Sequence, residues 1–332
     1  HIIILAAGKG SRMKSTIPKV MHKLAGEPLL SHVLRASATI PRAKKTVVIG
    51  EGKDFITSFF QKSPLAEDIS FVIQAEQLGT AHAVQIATAD IDEDSRVLVL
   101  YGDVPLIDPI TIREMLNVLE SCSLAVLTME VFDPFGYGRI LRDQDGNIEG
   151  IVEQKDATPN QEKILEVNTG VMAIKGAKLR RWLSKIEKNN VQGEYYLTDL
   201  VSLARHDKEE IRSIRPQSLE ETEGVNNRLQ LATLERRYQL KLAEKLCLGG
   251  TSLADPSRFD QRGELIAGCD TFIDVNCVFE GTVQLGSGVH IGPNCSIKDT
   301  TIADQAIVLA NSVIEQSSIG SGAVVGPFAR LR

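Results

Sequence analysis

IIILAAGKGSRM, residues 2–13, runs from an unbroken apolar stretch into a turn built on Gly8 and Gly10, with Pro18-Lys19 close behind. The apolar run predicts a strand over 2–7. A glycine-rich turn at the carboxyl end of a strand is where doubly wound sheets bind nucleotides. Two familiar phosphate-binding patterns do not fit. A dinucleotide fingerprint needs a third glycine where Met13 stands, and a P-loop needs four residues between Gly8 and a Gly-Lys-Ser/Thr unit. What remains is a turn decorated with three cations, Lys9, Arg12 and Lys19. Backbone N–H groups laid open by the glycines can line a triphosphate while Arg12 and Lys19 neutralise it. The plainer reading of the same residues is a tight turn with solvated charges.

Outward from this turn, short apolar runs alternate with amphipathic segments, the pattern of strands and helices wound into a parallel sheet. Strands are expected at 2–7, 46–50, 70–74, 97–102 and 124–131, with helices near 28–39, 52–63, 80–90 and 109–121 between them. Pro28 suits a first helical turn, and Thr80 is expected to cap the helix that follows it. Beyond Phe135 the alternation loosens. Segments 139–154 and 166–174 read as strands of an inserted substrate-side region, and 225–247 as a long helix stopped by Gly249 and Gly250.

After about residue 250 the pattern changes. Large apolar residues recur at Ile273, Phe279, Leu285, Ile291, Ile297, Ile302, Val308, Ile314, Ile319, Val325 and Leu331, always five or six apart. Neither a helix of period 3.6 nor a strand of period 2 gives that spacing. A hexapeptide period predicts a parallel β-helix, each hexad forming one side of a triangular coil with its aliphatic residue inward. Gly286, Gly292, Gly320 and Gly326 are expected at the corners. Leu331 takes an inward position with no polar cap after it, so the array is expected to continue past Arg332. His1 in place of an initiator methionine reads as a trimmed start.

Composition narrows the function classes. With 37 basic and 43 acidic residues the 332-residue chain carries a net charge of −6, which argues against a general nucleic-acid binder. No stretch approaches the roughly 20 apolar residues that span a bilayer, and the first residues lack the charged region and cleavage site of a signal peptide. Five scattered cysteines without a C-x-x-C pair fit reduced thiols and a cytoplasmic setting.

Two further motifs carry chemistry. In LYGDVP (100–105), Asp103 follows the fourth strand at a place suited to a divalent ion. Magnesium takes few protein oxygens and completes its shell with phosphates and water. In QAEQLGTAHA (74–83), Gln74 ends a strand, Gly79 permits a tight turn and Thr80 opens a helix, so amide and hydroxyl groups there can read a base edge. His82 reads as a structural residue of that helix rather than a general base. No Ser–His–Asp or Cys–His grouping supports nucleophilic catalysis.

The pattern L-x-A-G-x-G-x-R-M…P-K, together with G-D-x-P at Asp103, resembles the sugar-nucleotide pyrophosphorylases. GYGRI (136–140), VEQKDA (152–157), EVNTGV (166–171), QGEYYLTD (192–199) and EGVNNRLQL (223–231), followed by hexapeptide repeats, narrow the resemblance to the bacterial bifunctional N-acetylglucosamine-1-phosphate uridyltransferase / glucosamine-1-phosphate acetyltransferase family. The resemblance spans Ile2 to Arg332. It implies an α/β fold: a Rossmann-like nucleotidyltransferase domain with a mixed, mostly parallel sheet over 1–224, a linking helix over 225–250, and a left-handed parallel β-helix of hexapeptide repeats over 251–332.

By the same resemblance, Leu5, Ala6, Ala7 and Gly8 meet the nucleotide, with Arg12 and Lys19 on its phosphates as the catalytic cations. Gln74, Gly79 and Thr80 hold the uracil, Tyr101 lies beside the ribose and sugar-phosphate region, and Gly102 is among the substrate-binding residues. Asp103 and Asn226 bind magnesium. Gly138, Glu153, Asn168 and Thr169 surround the N-acetylglucosamine ring. The implied reaction joins UTP and N-acetylglucosamine 1-phosphate by one in-line displacement. Neither nucleic acid nor membrane is an implied partner, and a homotrimer through the β-helix is. In that family the acetyltransferase site lies in further coils, so acetylation is expected to be absent from residues 1–332. The residues alone leave open another sugar 1-phosphate and triphosphate pair, a non-catalytic sugar-nucleotide sensor, or an assembly subunit driven by the repeats.

Overall fold

In the computed structural model, which describes residues 1–66 and 68–332, the chain divides into two compact units. One comprises His1–Met21 and Leu29–Asn226, the other His22–Pro28 and Asn227–Arg332.

The first unit is a nine-stranded mixed sheet. Its strands are β1 (Ile2–Ala6), β2 (Lys45–Ile49), β3 (Ile69–Ile73), β4 (Arg96–Tyr101), β5 (Leu124–Glu130), β6 (Gly138–Arg142), β7 (Ile148–Val152), β8 (Glu166–Lys175) and β9 (Ile211–Ile214). The main path runs β9-β5-β8-β4-β1-β2-β3, and the β6-β7 hairpin pairs with the start of β8. Parallel pairing joins β3, β2, β1 and β4, as well as β9 and β5, whereas β8 runs antiparallel between β4 and β5.

Central strands read as unbroken apolar runs because both faces are covered. On one face α1 (Leu29–Ser37), α2 (Lys53–Phe60) and α4 (Pro109–Asn117) pack Leu30, Val33, Phe60 and Met115 against Ile2, Ile4, Val47 and Leu98. On the other, α3 (Thr80–Ile86), α5 (Gly176–Leu183) and α6 (Asp199–His206) pack Val84, Trp182 and Leu200 against Ile3, Leu5, Val48 and Val99. Strand β1 leads outward through β2 to β3, and the chain then returns to its other side as β4. This reversal opens a crevice beyond the carboxyl ends of β1 and β4, where open α/β sheets bind ligands.

Two local expectations need correcting. Pro28 lies in a short strand pair, Lys23–Leu24 with Glu27–Pro28, so the helix begins one residue later. Thr80 does not cap α3. Gly79 takes the cap position, and the Thr80 hydroxyl instead accepts from the backbone N–H of Leu197 at 3.0 Å.

In the second unit α7 (Arg228–Leu248) starts at the Asn227 side chain, which accepts from Gln230 N, and ends at Gly249. The repeats stack in parallel register: Ile273 on Ile291, Val308 and Val325; Phe279 on Ile297, Ile314 and Leu331; Leu285 on Ile302 and Ile319. All eleven predicted inward residues belong to one apolar column, with Val325 and Leu331 partly buried at its end. This is a parallel β-helix. Within the unit, α7 is tied to the first long strand by Gln239, whose amide both donates to Gln261 O (2.7 Å) and accepts from Gln261 N (2.8 Å). Among the described residues no helix is long and apolar enough to cross a membrane. All five cysteines are free thiols.

Candidate nucleotide and sugar site

The crevice at the reversal point holds a cleft of about 320 Å³ lined by Leu5, Ala6, Ala7, Gly8, Lys19, Gln74, Gly79, Thr80, Tyr101 and Asp103. Each of these was expected to meet the nucleotide or the metal. The first four come from the end of β1, Tyr101 and Asp103 from the end of β4, and Gln74 to Thr80 from the passage between β3 and α3. Lys19 is brought in by the turn. Gly10 sits at φ 60°, and a Cβ there would stand 2.7 Å from Lys19 Cβ, so only glycine lets the turn fold back this tightly. Among the described residues other than its chain neighbours, nothing lies within 4 Å of where a Gly8 Cβ would be, leaving open space over its backbone.

At the rim, Lys19 Nζ pairs with Asp103 Oδ2 and lies 3.4 Å from Asn226 Oδ1, which also accepts from Arg12 Nη2 at 2.9 Å. Asn226 is fixed beside Asp103 because the adjoining Val225 N donates to Asp103 O at 2.9 Å. One carboxylate and one amide oxygen thus converge on a single cation, here the Lys19 ammonium. A pair of hard oxygens is the protein's share of a magnesium shell that phosphates and water complete, so the residues fit that ion. Among the described residues no group of three or more His, Cys, Asp and Glu is arranged to hold a metal.

A second cavity of about 280 Å³ adjoins the first and shares Thr80, Tyr101 and Glu194 with it. Gly138, Glu153, Asn168 and Thr169 line it. A β-bulge in β8, between Asn168 and Met172, re-aims this stretch. Thr169 Oγ1 donates to Leu127 O (2.8 Å), and Asn168 Oδ1 accepts from Gly170 N (3.0 Å). Burial pushes the Glu153 carboxyl above its usual range; the Thr198 hydroxyl, donating to Oε1, opposes this, and Asp156 and Asp199 reinforce it. Burial likewise pushes the Tyr101 phenol up, with Glu153 and Asp103 adding to the effect.

Gly102 lines neither cavity. Its N–H donates to Leu5 O (2.9 Å), and a Cβ added to it would press on Val20, Ala6 and Leu30. Residues to which the motifs give no role also line the cavities: Gln77 and Glu194 the first, Tyr137, Gln192 and Tyr196 the second. Two of the quoted motifs, GYGRI and QGEYYLTD, contain four of these five. Arg139 of GYGRI is fully buried and holds the hairpin region together, donating to Tyr137 O and to Gln154 Oε1. A larger cavity of about 760 Å³, lined by His1, Lys45, Asp68 and Arg180, lies away from the crevice and gathers none of the motif residues.

A glycine-turn cleft at the reversal of a mixed sheet, with Arg12, Lys19, Asp103 and Asn226 gathered at its rim, is the architecture of a nucleotidyltransferase. Residues 2–149 match the MobA-like NTP transferase domain. Over all 332 residues the chain is 50% identical to the bifunctional protein GlmU of Marinobacter nauticus, covering 72% of that protein. The chain belongs to the bifunctional GlmU family. Solved structures share the fold at lower identity. A UDP-glucose pyrophosphorylase complexed with UDP-glucose superposes with a TM-score of 0.60 at 20% identity, over 72% of this chain and 98% of that one. A putative glucose-1-phosphate thymidylyltransferase from Bacillus anthracis gives 0.58 at 19%, over 70% and 93%.

Proposed function

We propose that the chain forms UDP-N-acetylglucosamine and pyrophosphate from UTP and N-acetylglucosamine 1-phosphate. The observation that carries this reading is the pair of adjoining cavities sharing Thr80, Tyr101 and Glu194, one bounded by the glycine turn and its cations, the other by Glu153, Asn168 and Thr169. A nucleotide in the first and a sugar phosphate in the second meet at Tyr101. Family membership and the full complement of motif residues favour catalysis over a binding-only role.

The attacking phosphate oxygen of the sugar phosphate is already an anion, so no general base is needed. It displaces pyrophosphate from the α-phosphorus of UTP in line, and the chain contributes positioning and charge stabilisation. Leu5 to Gly8 seat the nucleotide against open backbone, while Gln74, Gly79 and Thr80 hold the base. Arg12 and Lys19 turn from Asn226 and Asp103 to the triphosphate. Glu153, Asn168 and Thr169 orient the sugar so that its phosphate approaches the α-phosphorus. Asp103 and Asn226 would hold a magnesium ion, which supplies charge neutralisation where two polyanions meet.

Pyrophosphate release with magnesium and UTP, comparing N-acetylglucosamine 1-phosphate with glucose 1-phosphate, tests the reading. Release with the N-acetylated sugar alone, abolished by EDTA, is the expected result. Silence with both sugars and every triphosphate rejects it.

A further inference from the structure

The mechanism above has no use for His82, yet its ring meets a residue of the base site. Gln74 is 4% exposed and lines the nucleotide cleft. Its amide nitrogen lies 3.2 Å from Gly79 O and 3.1 Å from His82 Nδ1. A carbonyl oxygen only accepts, so the Gly79 contact decides which end of the amide is nitrogen. Gly79 itself is tightly held. Its φ is +115°, a Cβ would stand 2.4 Å from Tyr195 O, and the flanking Leu78 O and Ala81 N both pair with the Tyr195 backbone.

The two amide hydrogens of Gln74 therefore have two acceptors, Gly79 O and His82 Nδ1. For the second, the imidazole must carry its proton on Nε2. The amide nitrogen is then saturated. Oε1 is the one polar side-chain atom of Gln74 left for a ligand, and among the described residues no group donates to it.

We infer that His82 is a positioning residue that sets the base specificity of the nucleotide site. By accepting the second amide proton, it holds Gln74 with its oxygen toward the cleft, so the site demands a hydrogen-bond donor on the base edge. Uracil offers its N3–H. Cytosine seated the same way presents an unprotonated ring nitrogen, and two lone pairs then face each other. The inference rests on the uridine-nucleotide reading above and adds the residue that enforces it.

The test compares wild type, His82→Phe and His82→Asn with magnesium and N-acetylglucosamine 1-phosphate, varying UTP and CTP. Phenylalanine keeps the ring and removes the acceptor. Asparagine keeps an acceptor, its Oδ1, at the place of Nδ1. His82→Phe is expected to raise KM for UTP about tenfold with kcat within twofold, and to lower the UTP-over-CTP ratio of kcat/KM about tenfold, the worth of one hydrogen bond. His82→Asn is expected to restore both. An unchanged ratio in His82→Phe overturns the inference, as do equal losses for both nucleotides that asparagine does not rescue. Long-range proton–nitrogen spectra of the wild-type protein give a second reading that needs no variant. The Nε2–H tautomer of His82 is expected, and the Nδ1–H tautomer overturns the inference. Wild type that is inactive with UTP rejects the proposed function, whereas active wild type with an unmoved ratio rejects only the role of His82.

Discussion

The two units of the chain bring residues together by opposite means. In the β-helix each rung rests on the rung one coil away, so Ile273, Ile291 and Val308 answer one another at nearly constant spacing and each inward position does the same task. In the nucleotidyltransferase unit the rim of the cleft is gathered instead from remote and unlike pairs. Arg12 meets Asn226 from 214 residues away, and Asp103 meets Lys19 from 84. Repetition makes a structure whose parts are interchangeable, and its single residues matter through packing. Long-range convergence makes a structure whose parts are unique, and the few polar groups gathered where β1 and β4 end carry the chemistry.

That contrast breaks most sharply if a surface cation proves as dispensable as a solvated one. Arg12→Ala and Lys19→Ala are expected to lower turnover by roughly 10²–10³, about 3–4 kcal/mol of transition-state stabilisation each, with circular dichroism and melting unchanged. Near-normal turnover in both would return the turn to its plainer reading. The converse probe lies in the repeats. Ile297 is fully buried between Phe279 and Ile314. Ile297→Ala is expected to cost about 2–5 kcal/mol of stability through lost burial and the cavity left behind. Hydrogen exchange should show that loss concentrated in the neighbouring rungs, because stability in such arrays is a sum of nearest-neighbour terms. Uniform loss of protection across the whole chain would contradict the quasi-one-dimensional picture.

How much was legible in the sequence follows the same division. Strands β1, β2, β4 and β5 and the hexapeptide period were readable because burial on both faces, or one inward residue per hexad, writes itself into local composition; the edge strand β3 is only partly buried and was readable from its β-branched and aromatic run. Strand β9, with the sequence IRSI, carries no such signal and owes its place to pairing with β5. Helices α5 and α6 fell inside the loosely read segment, and His22–Pro28 gave no sign that it packs with the second unit. The site was legible where a motif is contiguous, as at Leu5–Gly8. It was illegible where a partner is remote. Thr80 looked like a helix cap because its true partner, Leu197 N, lies 117 residues on.

A finer probe of the convergent rim is Asp103→Asn. It keeps an oxygen and the shape but removes the charge that now pairs with Lys19. The magnesium concentration for half-maximal turnover should rise at least tenfold, about 1.4 kcal/mol. An unchanged titration would show that Asp103 is not a ligand and that its pairing with Lys19 is the whole of its role.

The smallest effect expected is also the one that separates stability from function within a single residue. Glu153 is held above the usual carboxylate range chiefly by burial. A carboxyl whose folded pKa is raised binds its proton more tightly folded than unfolded. Stability therefore falls as pH rises from the unfolded value near 4.3 to the folded one, and the cost is complete above the latter. Glu153→Gln removes that ionisation. The variant should gain stability relative to wild type as pH rises from about 4 to 7, while binding the sugar phosphate more weakly. Thermal melts of both proteins at the two pH values check the first half, and KM for the sugar phosphate checks the second. A melting difference that does not change with pH would mean that Glu153 is solvated like any surface acid. The sugar cavity would then lack the enclosure that sets it apart from the repeating outer faces of the β-helix.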